Sequence, residues 1–568
     1  MLLVVVALAP LWLSGMFGRA LWTPDEPREA DIAWRMSQQA DRLVPQLAGT
    51  PFLEKPPLSY WLSATGIALF GDHPGSARAP NLLYACVTAL AVALLALECG
   101  LSRPGALVAA LVAGSALSAW RVQSWLAPDA ALLAGNALAL LGLWRGYRAP
   151  RGWPKAAGYA LMHLGAALGF MAKSAPGWLV PGLAFAVLIA WERRWRELLC
   201  WELYAGFLLQ VALIGPWLWA LALRPDAATV LRTLFWNNLA GRFAHIDAPA
   251  ALDYAAGHPN SPGKYLLELP LYLLPWTLIV FAALRRAWRA CRAGGAQAGP
   301  WRFALAASVP FMLLLSAAAT ARDIYAAPAL LGFALLAGLW LGSAPPALDR
   351  LDSLCLRGTR WLVAALVTLL VATLALFVRA GCSAAAPALT AGLLLSVAGV
   401  LLLNAAASAQ ARGAIARSLF CCYGAYAVAL VLAAFVIFPV IDRWQDLGTL
   451  AQAVRRDTRE QRLALLAPDE TTLAVIDHAG TGRYAVLNER DAASVRAWFA
   501  ARGPAARVLV LLPGHAPGQL TDYLAHWRRL PPLDDGFAGT LVARGAAVLE
   551  RRYELPQGRR YALLAPPR

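Results

Sequence analysis

At 568 residues and 60.7 kDa, the chain is 59% hydrophobic and 15% charged, with a mean hydropathy of +0.54. A soluble protein is nearer half apolar and a quarter charged, so soluble enzymes and disordered or collagen-like chains are excluded and a polytopic membrane protein is expected. The net charge of +17 then follows from positive-inside topology and contact with anionic lipid, not from nucleic acid. The 8 cysteines include no CxxC pair and read as small buried apolar residues.

A helix needs about 20 apolar residues to cross a bilayer. About thirteen segments qualify. The first runs from Met1 to about Phe17, and without a small-residue cleavage site it reads as an anchor rather than a signal peptide. A long loop follows at 18–78. Within it Glu29–Gln39 and Pro57–Phe70 carry apolar residues at helical spacing, and Trp34, Tyr60 and Trp61 suit a helix lying in the membrane interface. Further spans are expected near 79–98, 104–120, 128–144, 156–172, 174–191 and 198–222. A second long loop covers 223–265, and spans near 266–284, 302–320, 324–342, 361–378, 385–404 and 418–440 complete the set.

Basic residues fix the orientation. The connections read as cytoplasmic carry about one Lys or Arg in four residues, those on the other side about one in nine. The amino terminus is therefore expected inside, with both long loops and the carboxyl terminus outside. Residues 1–440 form the expected transmembrane domain. From 441 to 568 short β-like runs alternate with amphipathic helices, an α/β pattern for a soluble domain. Leu473–Ile476, Tyr484–Leu487 and Val508–Leu512 read as strands, Asp491–Ala501 and Gln519–Arg529 as helices. No GxGxxG turn or Walker loop occurs, so no nucleotide is expected.

The chemistry-bearing residues gather in the two long loops. Asp25, Glu26, Arg28, Glu29 and Asp31 follow the first span directly, and read either as a solvated face or as a site. FLEKPPLSYW (Phe52–Trp61) displays Glu54 and Lys55 on proline-stiffened backbone beside Tyr60. Asp129 opens the fourth span, as a helix cap or as a cavity acid. The second loop adds Asn237, Asn238, Arg242, His245, Asp253, Tyr254 and His258, then Tyr265 ahead of Pro275-Trp276. Arg322 and Asp323 either pair with each other or face a phosphate. Acids from the first loop and a histidine from the second admit a mixed oxygen and nitrogen metal site, which spacing alone does not define. Carboxylates, cations and aromatics on one side of a membrane suit group transfer from a phospholipid-linked donor, whose leaving phosphate needs positive charge.

The segment TPDEPREADIAWRM followed by LVPQLAGTPFLEKPPLSYWLSATGIALFGDHPGSARAP resembles the first loop of the ArnT-like, protein-mannosyltransferase-related glycosyltransferases of GT-C type. The likeness rests on Asp25-Glu26 and Arg28, on Pro45, Leu47, Gly49, Phe52, Glu54, Lys55 and Pro56, and on Leu69-Phe70-Gly71 and Arg78. NNLAGRF (Asn237–Phe243), His258 with Tyr265, and LLPW (Leu273–Trp276) resemble the family's later loop and span. The resemblance implies a GT-C fold of about thirteen transmembrane helices with a C-terminal soluble domain. It also implies inverting transfer of a sugar from undecaprenyl phosphate to lipid A or another glycolipid at the periplasmic face of the bacterial inner membrane, by a monomer.

Carried over, the resemblance makes Asp25 the principal catalytic carboxylate and Asp129 a second acid. Arg28, Lys55 and Arg242 would hold the donor phosphate, Glu54 and His258 a divalent metal (Zn, Mg or Mn). Glu26, Tyr60, Tyr265 and Arg322 are further cavity candidates. Glu29 stands where the family pattern has tyrosine, which leaves the sugar open between 4-amino-4-deoxy-L-arabinose and another amino sugar such as glucosamine. A transporter or flippase of polyprenyl-linked sugars is the alternative, against which stand the lack of an inverted repeat and the few ionisable groups within spans.

Overall fold

The structure, a computed structural model, describes residues 1–240, 260–318, 322–343, 348–382, 384–458, 462–480, 484–513, 534–555 and 557–567, and at 237–240 and 296 the backbone alone. Apolar runs fold as helices because a helix satisfies its own backbone inside hydrocarbon. α1 (Leu2–Met16) leads to the loop helices α2 (Glu26–Gln38) and α3 (Leu58–Phe70), with the short hairpin β1 (Gln46–Leu47) and β2 (Thr50–Pro51) between them. Then come α4 (Pro74–Glu98), α5 (Arg103–Ser115), α6 (Leu117–Ser124), α7 (Asp129–Arg148), α8 (Trp153–Lys173), α9 (Pro176–Glu192), α10 (Trp201–Ala205), α11 (Phe207–Ala222) and α12 (Ala227–Leu231). Beyond the second loop lie α13 (Lys264–Tyr272), α14 (Thr277–Ala293), α15 (Gly299–Ala306), α16 (Val309–Ala317), α17 (Ala327–Gly342), α18 (Arg350–Arg379), α19 (Ala385–Ala411) and α20 (Ile415–Trp444).

Among the described residues, the apolar segments expected from the sequence fall mainly on helix, several of them interrupted. By length and composition, seven helical stretches among the described residues can each cross a membrane, or nine when each of two bent pairs counts as one span. Thirteen crossings are not reached by that measure, in part because α1 and α9 have only 15 and 17 residues. The bent pairs are α5–α6, at 61°, and α13–α14, at 117°. Pro275, between α13 and α14, has no N–H with which to continue α13. The two breaks meet: Leu117 N donates to the Leu274 carbonyl (2.9 Å) and Trp276 Nε1 to Ser115 Oγ (3.0 Å).

α7 and α8 pack backbone to backbone. A Cβ on Gly142 would stand 2.1 Å from Met162 N, and one on Gly158 2.3 Å from Gly146 N. Small residues permit such approach in membranes. The main apolar core draws on α1, α4, α5, α7, α14, α15 and α17, while α18, α19 and α20 share a separate one.

The C-terminal part contains α21 (Leu447–Asp457), β3 (Arg462–Leu466), α22 (Glu470–His478), β4 (Tyr484–Leu487), α23 (Ala492–Arg502), β5 (Ala506–Leu511), α24 (Gly536–Ala543), β6 (Val548–Glu554) and β7 (Arg560–Ala565). Its five-stranded sheet has the order β4-β3-β5-β7-β6. β3 runs parallel to β4 and β5, and β7 antiparallel to β5 and β6. One expectation is corrected. Leu473–Ile476 is not a strand but part of α22, whose start is fixed by Asp469 accepting from Thr472 N. A short apolar run suits either form, and here the cap decides. The expected helix Gln519–Arg529 lies outside the described residues.

This part docks on the first loop through α22. Ala474 enters an apolar cluster with Ile32, Met36, Phe52 and Tyr60. Arg35 pairs with Asp477, and Thr471 Oγ1 donates to the Pro24 carbonyl (3.1 Å). Nearer the membrane, Trp22 Nε1 donates to Asp442 Oδ1 and Thr23 N to Gln445 Oε1, both at 2.7 Å.

Candidate active site

The site is built around the first turn of α2. Proline at 27 suits a first turn, where its missing N–H costs nothing. Helical spacing then brings Asp25, Arg28 and Glu29 together and sends Glu26 elsewhere. Asp25 accepts from Arg322 Nη2 (2.6 Å) and, less closely, from Arg28 Nη2 (3.3 Å). Glu29 Oε1 accepts from Lys55 Nζ (2.8 Å) and Arg28 Nη2 (3.0 Å). Glu54 lies 3.5 Å from Lys55 Nζ. Arg28 reaches out of the loop to Glu470 on α22, and its guanidinium stands 5.4 Å from the Phe52 ring centre. Asp25, Arg28, Glu29, Lys55 and Tyr60 are all buried.

Buried charges persist only when paired. Burial pushes the Asp25 carboxyl up, but Arg28 and Arg322 outweigh it and hold it below the usual range. Glu29 is likewise lowered, with Lys55 and Arg28 overcoming burial. Lys55 is raised because Glu29 and Glu54 outweigh its burial. Asp25, Glu29 and Lys55 are thus ionised at neutral pH. A carboxylate held this acidic is a weak proton acceptor, better suited to orienting or balancing charge than to abstracting a proton.

The remaining candidates divide. Arg322 joins Asp25, and its neighbour Asp323 pairs with Arg121, so the two do not pair with each other. The Tyr265 hydroxyl donates to the Arg322 carbonyl (3.1 Å) and accepts from its N–H (3.0 Å), fixing the backbone that carries the guanidinium. Asp129 makes no cap with its side chain and instead pairs with Lys173 at the end of α8. Lys173 Nζ also stands 4.5 Å from the Tyr325 ring centre.

Glu26 is drawn into a different structure. Its carboxylate takes Arg19, Arg78 and the N–H groups of Trp22 and Leu126. That is a buried clamp tying α2 to α4 and to the α6–α7 connection. Arg242 and His258 lie outside the described residues. Among the described residues no three His, Cys, Asp or Glu side chains converge as a metal site.

Sequence reasoning missed two members. Lys173 had a signal, a lone cation at the end of an apolar segment on the side expected to be non-cytoplasmic, against the charge bias. Glu470 had none, since an acid in a helix's first turn is ordinary.

Four likenesses to known proteins bear on this site. The family model for dolichyl-phosphate-mannose-protein mannosyltransferases matches residues 54–219. The undecaprenyl phosphate-alpha-4-amino-4-deoxy-L-arabinose arabinosyl transferase of Pseudomonas paraeruginosa is 31% identical over 374 residues, 66% of this chain and 64% of that one. Its counterpart in Edwardsiella ictaluri is 32% identical over 321 residues, 56% of this chain and 55% of its own. The chain thus spans somewhat less than two thirds of these relatives' length. In overall fold it is similar to the crystal structure of ArnT from Cupriavidus metallidurans bound to undecaprenyl phosphate, with a TM-score of 0.69 over 99% of this chain and 97% of that one, at 18% identity.

Proposed function

We propose that the chain belongs to the ArnT-like, protein-mannosyltransferase-related family of GT-C fold, to whose members it is similar, and that it is an inverting glycosyltransferase using an undecaprenyl phosphate-linked sugar. The acceptor is a phosphate of lipid A or of a similar glycolipid, and the sugar is 4-amino-4-deoxy-L-arabinose or another amino sugar. The observation that carries this reading is the buried group of Asp25, Arg28, Lys55 and Arg322 beside an apolar bundle. An acid bracketed by cations, where a polyprenyl chain can stay in lipid, suits a phosphate donor.

In the reaction, an acceptor phosphate oxygen forms a bond to the anomeric carbon as the bond to the donor phosphate breaks on the opposite face. The undecaprenyl phosphate leaves with the electron pair. Arg28 and Lys55, with Arg242, neutralise that developing charge. Asp25, ionised and held by Arg322, orients the acceptor and balances the positive character of the sugar ring. Asp129 acts as a second acid positioned by Lys173. The charge bias of the loops supports a site facing the periplasm from the inner membrane.

We also propose a divalent ion on Glu54 and His258. Glu54 and His258 would hold it, and it would supply positive charge beside the leaving phosphate. Metal stoichiometry in the purified protein, with Glu54→Ala and His258→Ala, tests this, and a content unmoved by both rejects it. The function is tested by incubating purified protein with synthetic undecaprenyl-phosphate aminoarabinose and lipid A. Mass spectrometry should show the lipid A gaining the sugar. Donor binding with no transfer to any lipid phosphate would overturn the reading.

A further inference from the structure

Arg28 is held from two directions. Asp25 and Glu29 bind it from its own helix, and Glu470 binds it from the C-terminal domain. Among the described residues, four carboxylates (Asp25, Glu29, Glu54, Glu470) are joined through three cations (Arg28, Lys55, Arg322), and three of the four acids draw on Arg28. A donor phosphate that takes Arg28 must displace one of the three acids that hold it.

The acids differ in how firmly they are held. Asp25 has two cations, Arg28 and Arg322, and Glu29 has two, Lys55 and Arg28. Glu470 has Arg28 as its one ion-pair partner among the described residues. Its side chain is 29% exposed, against 12% for Asp25, 2% for Glu29 and 9% for Glu54. Its second oxygen, Oε1, is buried with no hydrogen-bond partner. Glu470 therefore loses least by leaving.

We infer that Glu470 belongs to the donor site: the C-terminal domain places this carboxylate on Arg28, where the donor phosphate competes with it, and so sets donor affinity. The inference rests on the donor reading above. It gives the soluble domain a direct part in the site, although its other contacts with the first loop are those of docking.

The test is binding of undecaprenyl phosphate to the full-length protein in detergent. Glu470→Gln keeps the shape and removes the charge. It should bind about tenfold more tightly, the order expected when one like charge is removed beside a partly exposed site. Glu470→Ala should move the same way, and Glu550→Gln, remote in the same domain, should not move. Undecaprenol, which lacks the phosphate, should bind wild type and Glu470→Gln alike; a merely structural change would alter both ligands. Wild-type binding with no tightening, or with weakening, in both Glu470 variants overturns this inference alone. No binding of undecaprenyl phosphate by the wild type overturns it together with the donor reading.

Discussion

Replacing Glu26 by glutamine should unfold the first loop rather than disable its chemistry. Each carboxylate oxygen accepts three hydrogen bonds. Oε1 takes Arg19 Nη2 (3.0 Å), Arg78 Nε (2.8 Å) and Leu126 N (2.9 Å). Oε2 takes Arg19 Nη1 (2.6 Å), Arg78 Nη2 (2.8 Å) and Trp22 N (2.9 Å). In glutamine one of these oxygens becomes an NH2 group, a donor facing three donors. Two guanidiniums, with side chains 1% and 0% exposed, also lose their shared counter-charge.

Burial pushes the Glu26 carboxyl up, yet Arg78 and Arg19 bring it down to about 2 from an ordinary value of 4.5. That difference corresponds to roughly 3 kcal/mol. Breaking a buried pair by removing one partner costs about 3–5 kcal/mol. The folded-state value is depressed, so the contribution is present above pH 4.5 and is lost as pH falls through 4.5 toward 2. Thermal unfolding in detergent at pH 7 should therefore show a clearly lowered midpoint for Glu26→Gln. Adding Arg78→Met should recover part of the loss, because one orphaned charge is removed. A wild-type midpoint in Glu26→Gln would refute the clamp. So would lost turnover at unchanged stability, which would make Glu26 part of the chemistry.

Other expectations follow from the same geometry. Asp25→Asn should lower turnover at least a hundredfold, the scale of a charge aimed at the transition state, and near-normal turnover would remove Asp25 from the mechanism. Lys55→Ala should raise KM for the donor more than for the acceptor, with Lys55→Arg only partly restoring it, because a planar guanidinium is a poor substitute for a compact ammonium; steady-state kinetics in each substrate separates these. Burial and Asp477 push the Asp31 carboxyl up to about 8, against the pull of the Ala48 N–H and Arg35. A raised value favours the folded state fully below pH 3.8 and is lost as pH rises through about 8, so limited proteolysis should find the domain docked less firmly at pH 8.5 than at pH 6. Asp31→Asn should flatten that profile, and an unchanged slope would exclude this carboxyl as its source. A single cysteine at Ser261, in a cysteine-free background, should react with an impermeant thiol reagent on intact spheroplasts; reaction only after permeabilisation would invert the topology.

The parts of the molecule legible in the sequence are those where one local rule dominates. Apolar length marks α4 and α17–α20, and the fixed order of Asp25, Arg28 and Lys55 marks the site. Chain separation hides the rest. Arg322 meets Asp25 across 297 residues and Glu470 meets Arg28 across 442, so no periodicity links them. Asp129 reads as a cap because capping is local, whereas its partner Lys173 comes 44 residues later. The start of α2 was placed at Glu29, although Pro27 is compatible with a first turn. Tyr484–Leu487 and Val508–Leu512 are visible as strands because they are short and β-branched or apolar between turn residues, although the second starts two residues earlier, at Ala506, and ends at Leu511. Arg462–Leu466 and the hairpin β6–β7 are not, since their charged ends dilute the apolar signal.

The contact of α7 with α8 extends the reach of the site along the whole helix pair. Asp129 opens one helix and Lys173 closes the other, so their spacing is set by how the two rods lie against each other. Gly142 sits thirteen residues along α7, roughly 20 Å from Asp129 at 1.5 Å per residue. A methyl group there has no room, because the Met162 backbone is already in its place. The rods would have to splay, and the splay would be delivered at the far end as a misaligned acid. Sequence change at one end of the pair is thereby policed by chemistry at the other, and a loss of turnover is the expected phenotype of an alanine that touches no substrate.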